Sequence, residues 1–256
     1  MSDFNPAYAR GHAGALDTSV DAGLRAFMLG VYNKMALGLL LSAALAYVVG
    51  SVAPVTALVF GTPLIYVVQW GPIALLFGSM FFMRNPSPAG SAVLYWSVVS
   101  LIGMGMGVWV MIALNSVEVT SVGGRTIGVT FGTIAQALVI TAAAFGGLSL
   151  WGYTTKRNLT GLSSFMFMAV IGLILISVSN FFFRSPMLEI GIQVVGLGLF
   201  SFITAMTTQQ LKVSYFAYQG DNRSLAVMTN FGALNLYISF INMFQFLLML
   251  MGGSRN

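Results

Sequence analysis

The chain has 256 residues, of which 57% are hydrophobic and 7% charged, with eleven Lys and Arg against six Asp and Glu. Soluble domains carry about 25% charged residues, so this few charges cannot coat a water-soluble surface of this size. The net charge of +5 is no nucleic-acid footprint, because no basic cluster is denser than Lys156-Arg157, and the absence of cysteine excludes disulfides and thiolate chemistry.

Apolar runs close to the spanning length of about 20 residues recur along the chain. They are continuous and rich in Leu, Met, Phe and Ala, unlike the alternating segments of a β-barrel. The expected fold is therefore an all-α polytopic membrane protein with seven transmembrane helices. Residues 1–24 are polar, contain Asn5-Pro6, Gly11 and Gly14, and lack the apolar core of a cleavable signal. They read as a mobile cytoplasmic tail ahead of a membrane domain over 25–256. His12, the sole histidine, falls in that tail and reads as an exposed residue.

Span one is expected over Ala26–Val52, with Lys34 snorkelling to the near interface, and Pro54 turns the chain. Val55–Tyr66 reads either as an interfacial loop or as the first turns of a tilted helix. Span two follows over Val67–Met83, with Gly71-Pro72 as a kink, and Arg84-Asn85-Pro86-Ser87-Pro88 ends it. Span three covers Val93–Leu114. Its Gly103, Gly105 and Gly107 lie inside an apolar helix with no preceding strand, so they point to close helix packing rather than to a nucleotide loop.

Val117–Val129 has strand character, with Gly123-Gly124 as a turn signal, and predicts a short hairpin or ordered loop at the membrane surface. It reads as a connector or as a docking element. Span four runs over Thr130–Trp151 and span five over Leu162–Phe183, separated by a loop carrying Lys156 and Arg157. Span six, Met187–Gln210, begins apolar and ends polar. Ser201, Thr204 and Thr208 share one face at i, i+3 and i+7, joined nearby by Thr207. A polar face at membrane depth must meet protein or water, which predicts span six as the central helix. Lys212–Thr229 reads as the longest polar loop, and span seven as Asn230–Met251.

With the amino end inside, eight bases fall on the inner side and Arg125, Arg184 and Arg255 on the outer. That positive-inside bias predicts a cytoplasmic amino terminus and a periplasmic carboxyl terminus. None of the acids falls in the middle of a span, and Glu189 is expected near the outer end of span six, facing the interface. Without a buried carboxylate pair, spanning histidine or cysteine, an enzyme, a metal site or a bound cofactor is not expected. The neutral residues Thr204, Thr207, Thr208, Asn235, Ser239 and Asn242 are the candidate pore or polar core. Asn235, Ser239 and Asn242 form a stripe at i, i+4 and i+7 that could face the span-six stripe, either as interhelical glue or as a hydrated cation path.

Four segments, LRAFMLGVYNKMALGL, ITAAAFGGLSLWGYTTKRNLTGLSSF, LFSFITAMTTQQLK and GALNLYISFINMFQFLLMLMG, together resemble the Bax inhibitor-1 family. The resemblance covers Leu24 to the end and implies a bacterial inner-membrane protein with seven helices, the seventh surrounded by the other six. It implies two kinds of function. Some members are pH-sensitive calcium leak channels using one aspartate late in span six and one in span seven. Those motif positions hold Thr207 and Ser239 here, and Asn158 replaces a frequent aspartate after Thr-Lys-Arg. A threonine and serine pair does not titrate usefully and holds Ca2+ weakly. Other bacterial members restrain a membrane-anchored AAA protease, which needs helical surfaces and a tail rather than buried acids. The expectation is a non-enzymatic regulatory or interaction protein in the lipid bilayer; the alternative is a pH-insensitive leak for Ca2+ or another cation.

Overall fold

A computed structural model describes residues 6–253 except Arg84 and Val122, with side chains from Ala22 onward apart from that of Phe82. The expected mobile tail, His12 included, falls largely outside the described side chains. In chain order the elements are α1 (Pro6–Ser51), α2 (Ala53–Phe60), α3 (Leu64–Phe82), α4 (Pro88–Asn115), β1 (Glu118–Thr120), β2 (Thr126–Gly128), α5 (Phe131–Thr154), α6 (Ser163–Phe183), α7 (Pro186–Ala217) and α8 (Asn222–Met251). Among the described residues, seven helices are long and apolar enough to cross a membrane: the Ala22–Ser51 part of α1, then α3, α4, α5, α6 with its preceding turn, α7 and α8. The protein is an all-α polytopic membrane protein.

Helix starts follow local chemistry. Ser87, Thr130 and Ser185 each accept a backbone N–H from the first turn of α4, α5 and α7, and a proline follows Ser87 and Ser185. Asp221 caps α8 by accepting from the N–H groups of Arg223 at 3.0 Å and Ser224 at 3.2 Å. This cap corrects the expected long loop over 212–229. The α7 helix runs on to Ala217, and a turn through Gly220, at φ +93°, leads directly into α8. The polar residues there extend two helices past the apolar zone instead of breaking them. The ambiguous segment after span one is a separate two-turn helix, α2, with Pro54 in its first turn.

The bundle is built on two tight pairs, α1 with α4 and α7 with α8. The α4 glycines make the first possible. An added Cβ at Gly103 would lie 2.6 Å from the Ser42 Cα, and one at Gly107 would lie 2.8 Å from Val49. Gly105 faces α3, where a Cβ would lie 3.4 Å from Val68. These glycines therefore pack helices, as small residues do in lipid. Helix α8 touches α1, α4, α5 and α7, whereas α3 leans on α4 and α6 leans on α7. The core centres on α8, where Leu234, Leu236, Tyr237 and Met243 are fully buried.

The predicted hairpin is present. β1 and β2 pair antiparallel, with Glu118 opposite Gly128 and Thr120 opposite Thr126. It is folded onto the bundle: Gly128 N–H donates to the Gly252 carbonyl at 2.8 Å, and Ile127 bridges Gly253 beyond the end of α8.

Candidate functional site

The polar face of α7 is buried as its spacing predicts. Thr204 and Thr208 are fully buried and Thr207 nearly so. The Thr204 hydroxyl donates to the Phe200 carbonyl at 2.8 Å and lies 3.6 Å from the Met243 sulfur of α8. The Thr208 hydroxyl donates to the Thr204 carbonyl at 3.0 Å and lies 3.2 Å from the Tyr32 hydroxyl of α1. Bonding four residues back within the same helix satisfies each threonine without water. Beside this face, α5 comes in close, because an added Cβ at Gly152 would lie 2.2 Å from the Ala205 carbonyl oxygen.

The α8 stripe does not act as one face. Ser239 is buried, Asn242 is half-buried and Asn235 is exposed. Four helices flank α8, and its side toward α6 is left open. Asn242 lines that open side. Asn242 uses its side-chain N–H on the Ile238 carbonyl at 2.8 Å. Of the stripe only Ser239 is buried, and the contact given between the α7 threonines and α8 is that of Thr204 with Met243, outside the stripe.

The polar contacts that do cross the core come from residues one position round the helix, Asn230 and Tyr237. The Tyr237 hydroxyl is 2.6 Å from that of Ser42, and the Ser42 hydroxyl donates to the Val99 carbonyl at 3.1 Å, linking α8, α1 and α4. Asn230 donates to the Pro88 carbonyl at 3.0 Å and the Ser91 hydroxyl at 2.7 Å, and accepts from the Lys34 ammonium. Lys34 is therefore tied to α8 at the level of Pro88, where α4 begins. A signal was available: Asn230 and Tyr237 stand at i and i+7, in register with the apolar Leu234 and Ile241.

At the hairpin end, Glu189 is buried and does not face the interface. Its carboxylate accepts from the Ser121 hydroxyl at 2.6 Å and from Gln193 at 3.1 Å, and Arg125 donates to the Gln193 oxygen at 2.9 Å. Gly123 is needed there, since a Cβ would meet a Glu189 oxygen at 2.2 Å. The hairpin is thereby a docked element as well as a connector. The arginine reaches the carboxylate through an amide, which spreads the charge over a hydrogen-bonded relay in low dielectric.

At the opposite end, Gln209 closes the α5–α6 loop, accepting from Leu159 N–H at 2.7 Å and donating to the Arg157 carbonyl at 2.7 Å. Asn158 accepts from the Thr160 N–H at 3.1 Å and its hydroxyl at 2.6 Å, an Asx turn that amide or carboxylate oxygen could make equally. Among the described residues, no group of three His, Asp or Glu side chains comes together to hold a metal ion.

A bundle of apolar helices packed on hydroxyls, amides and a tethered lysine defines a multi-pass α-helical membrane protein with a largely neutral interior. The chain belongs to the Bax inhibitor-1 family: residues 24–256 match the family described as "Inhibitor of apoptosis-promoting Bax1". It is 49% identical to an uncharacterized protein of Caulobacter vibrioides over the full length of both chains. It is 34% identical to RP147 of Rickettsia prowazekii, covering 92% of this chain and 93% of that one. It is 33% identical to the inner membrane protein YbhL of Escherichia coli K12, covering 91% and 94%.

Proposed function

We propose that this protein is a non-enzymatic regulator of the bacterial inner membrane that works by contact with other membrane proteins, a membrane-anchored AAA protease among them, rather than by conducting ions. The observation that carries this reading is the seam between α7 and α8. Thr204 and Thr208 spend their hydroxyls on their own helix, and Met243 lies against Thr204. Permeation needs exchangeable ligands, and an oxygen site without a carboxylate holds divalent cations weakly. The basic bias of the loops supports a cytoplasmic amino end and a periplasmic hairpin. On that cytoplasmic side a cleft of about 570 Å3, lined by Asn85, Tyr218, Asp221, Arg223 and Ser224, offers polar contacts to a partner.

The second reading, a pH-insensitive cation leak, rests on the neutral hydroxyls of Thr207 and Ser239 at the motif positions. One paired experiment separates the two. Tagged protein is captured from mild detergent, and the same preparation is reconstituted for Ca2+ uptake at two pH values. Stoichiometric recovery of a protease complex with uptake equal to empty vesicles supports regulation. Uptake above empty vesicles without a partner reverses the ranking.

A further inference from the structure

Helix α6 makes its main contact with α7 and stands off from α8. The gap is a groove of about 580 Å3 whose walls include Leu173, Ser177, Phe181, Phe200, Asn242 and Phe246. A second chamber of about 440 Å3 lies beneath the hairpin and shares Ser177 and Phe246 with the first. A third, of about 240 Å3, opens at the rim between Thr120, Ser121, Gly124, Phe181 and Arg184. It shares Thr120 and Ser121 with the second and Phe181 with the first. The three adjoin one another from the hairpin end to about the depth of Asn242.

The chemistry changes along this groove. Its rim carries hydroxyls and the exposed guanidinium-bearing Arg184. Its depth is apolar, and the polar groups there are already used: Ser177 donates to Leu173 at 2.7 Å and Asn242 to Ile238 at 2.8 Å. Water needs two to four polar partners to settle in a cavity, and these walls leave few. Glu189 lines the second chamber, but its two oxygens accept from Ser121 and Gln193. The groove lies along helices of spanning length and opens sideways past the exposed Ile174, Val178 and Phe182, so lipid is what reaches it.

We propose that this groove is a phospholipid site: one acyl chain of an anionic lipid from the leaflet at the hairpin end lies between α6 and α8, with its phosphate beside Arg184. An apolar slot below a cation at the interface matches the order of groups in such a lipid, and a basic residue near the surface favours an anionic head about fivefold.

The test uses the whole chain in phosphatidylcholine nanodiscs carrying a trace of phosphatidylglycerol with a photoactivatable acyl chain. Adducts are mapped by mass spectrometry. Labelling concentrated on α6 from Leu173 to Phe182 and on α8 near Phe246, above that on the exposed α3 residues Phe77 and Met80, supports the site. Ser177→Trp should abolish the α6–α8 labelling, and excess unlabelled phosphatidylglycerol should compete it away in the unaltered protein. Arg184→Ser should lower it about fivefold. Even labelling of α3 and α6, or groove labelling that neither competitor nor Ser177→Trp reduces, overturns the site. Equal labelling by a phosphatidylcholine probe, unaffected by Arg184→Ser, overturns the headgroup assignment.

Discussion

The hydroxyls of Ser42 and Tyr237 lie 2.6 Å apart, joining α1 to α8 across 195 positions of sequence. Gly103 presses on the Ser42 backbone from α4, so this point ties three helices together. Hydrogen bonds between membrane helices contribute about 0.6 kcal/mol on average and about 1.7 at most. Tyr237→Phe and Ser42→Ala should each destabilise the protein within that range. Because each single variant removes the same Ser42–Tyr237 bond, the double variant should cost less than the sum of the two. Unfolding in mixed detergent micelles measures all three.

Gly152 faces the Ala205 carbonyl with no room for a Cβ. Backbone cannot yield as a side-chain tip can. Gly152→Ala should therefore cost about 1–3 kcal/mol, the range of an overpacked core, and Gly152→Val more. Gly146, with nothing within 4 Å of an added Cβ, should accept alanine without loss in the same assay.

Restoring acids at the two motif positions tests the neutral core directly. Two like charges sharing a low-dielectric site cannot both ionise at their ordinary values, so such a pair responds to pH. The parent protein should give the same Ca2+ flux in vesicles at pH 6 and pH 8. Thr207→Asp combined with Ser239→Asp should introduce a difference between the two values. A pH-dependent parent flux that disappears on replacing Thr207 or Ser239 contradicts the reading.

Asp221 is held below the usual carboxylate range by the Ser224 hydroxyl first, then by the backbone N–H groups at the start of α8 and by Arg223. A lowered folded-state value means its contribution is complete above the ordinary range and is lost as pH falls through the lowered value. Protection of the first α8 turn against hydrogen exchange should thus fall on acidification below about pH 4. Asp221→Asn should keep the cap, since asparagine serves as well, and remove that pH dependence. Asp221→Ala should lose protection at neutral pH.

The membrane helices, the hairpin and the α4 glycine contacts were legible because each depends on local spacing or a long apolar run. The buried threonine face of α7 was legible for the same reason. Asn235 was not: it is exposed while Ser239, one turn on in the same stripe, is buried, a matter of tertiary placement that an i, i+4, i+7 pattern cannot carry. Glu189 was misjudged for a related reason. Its position near a helix start suggested solvent, but the hairpin folds over it and supplies Ser121. The loop at 212–229 was misread because polarity outweighed the helix-start signal at Asp221.

Helix α8 has the most buried of the spanning stretches, and its four packing partners α1, α4, α5 and α7 all precede it in the chain, as the hairpin precedes the Gly252 carbonyl that it bonds. Synthesis runs from the amino end, so those four helices are made before the neighbour they share. Their α8-facing sides stay unmatched until it arrives, which makes the insertion of α8 the step that commits the bundle to its packing.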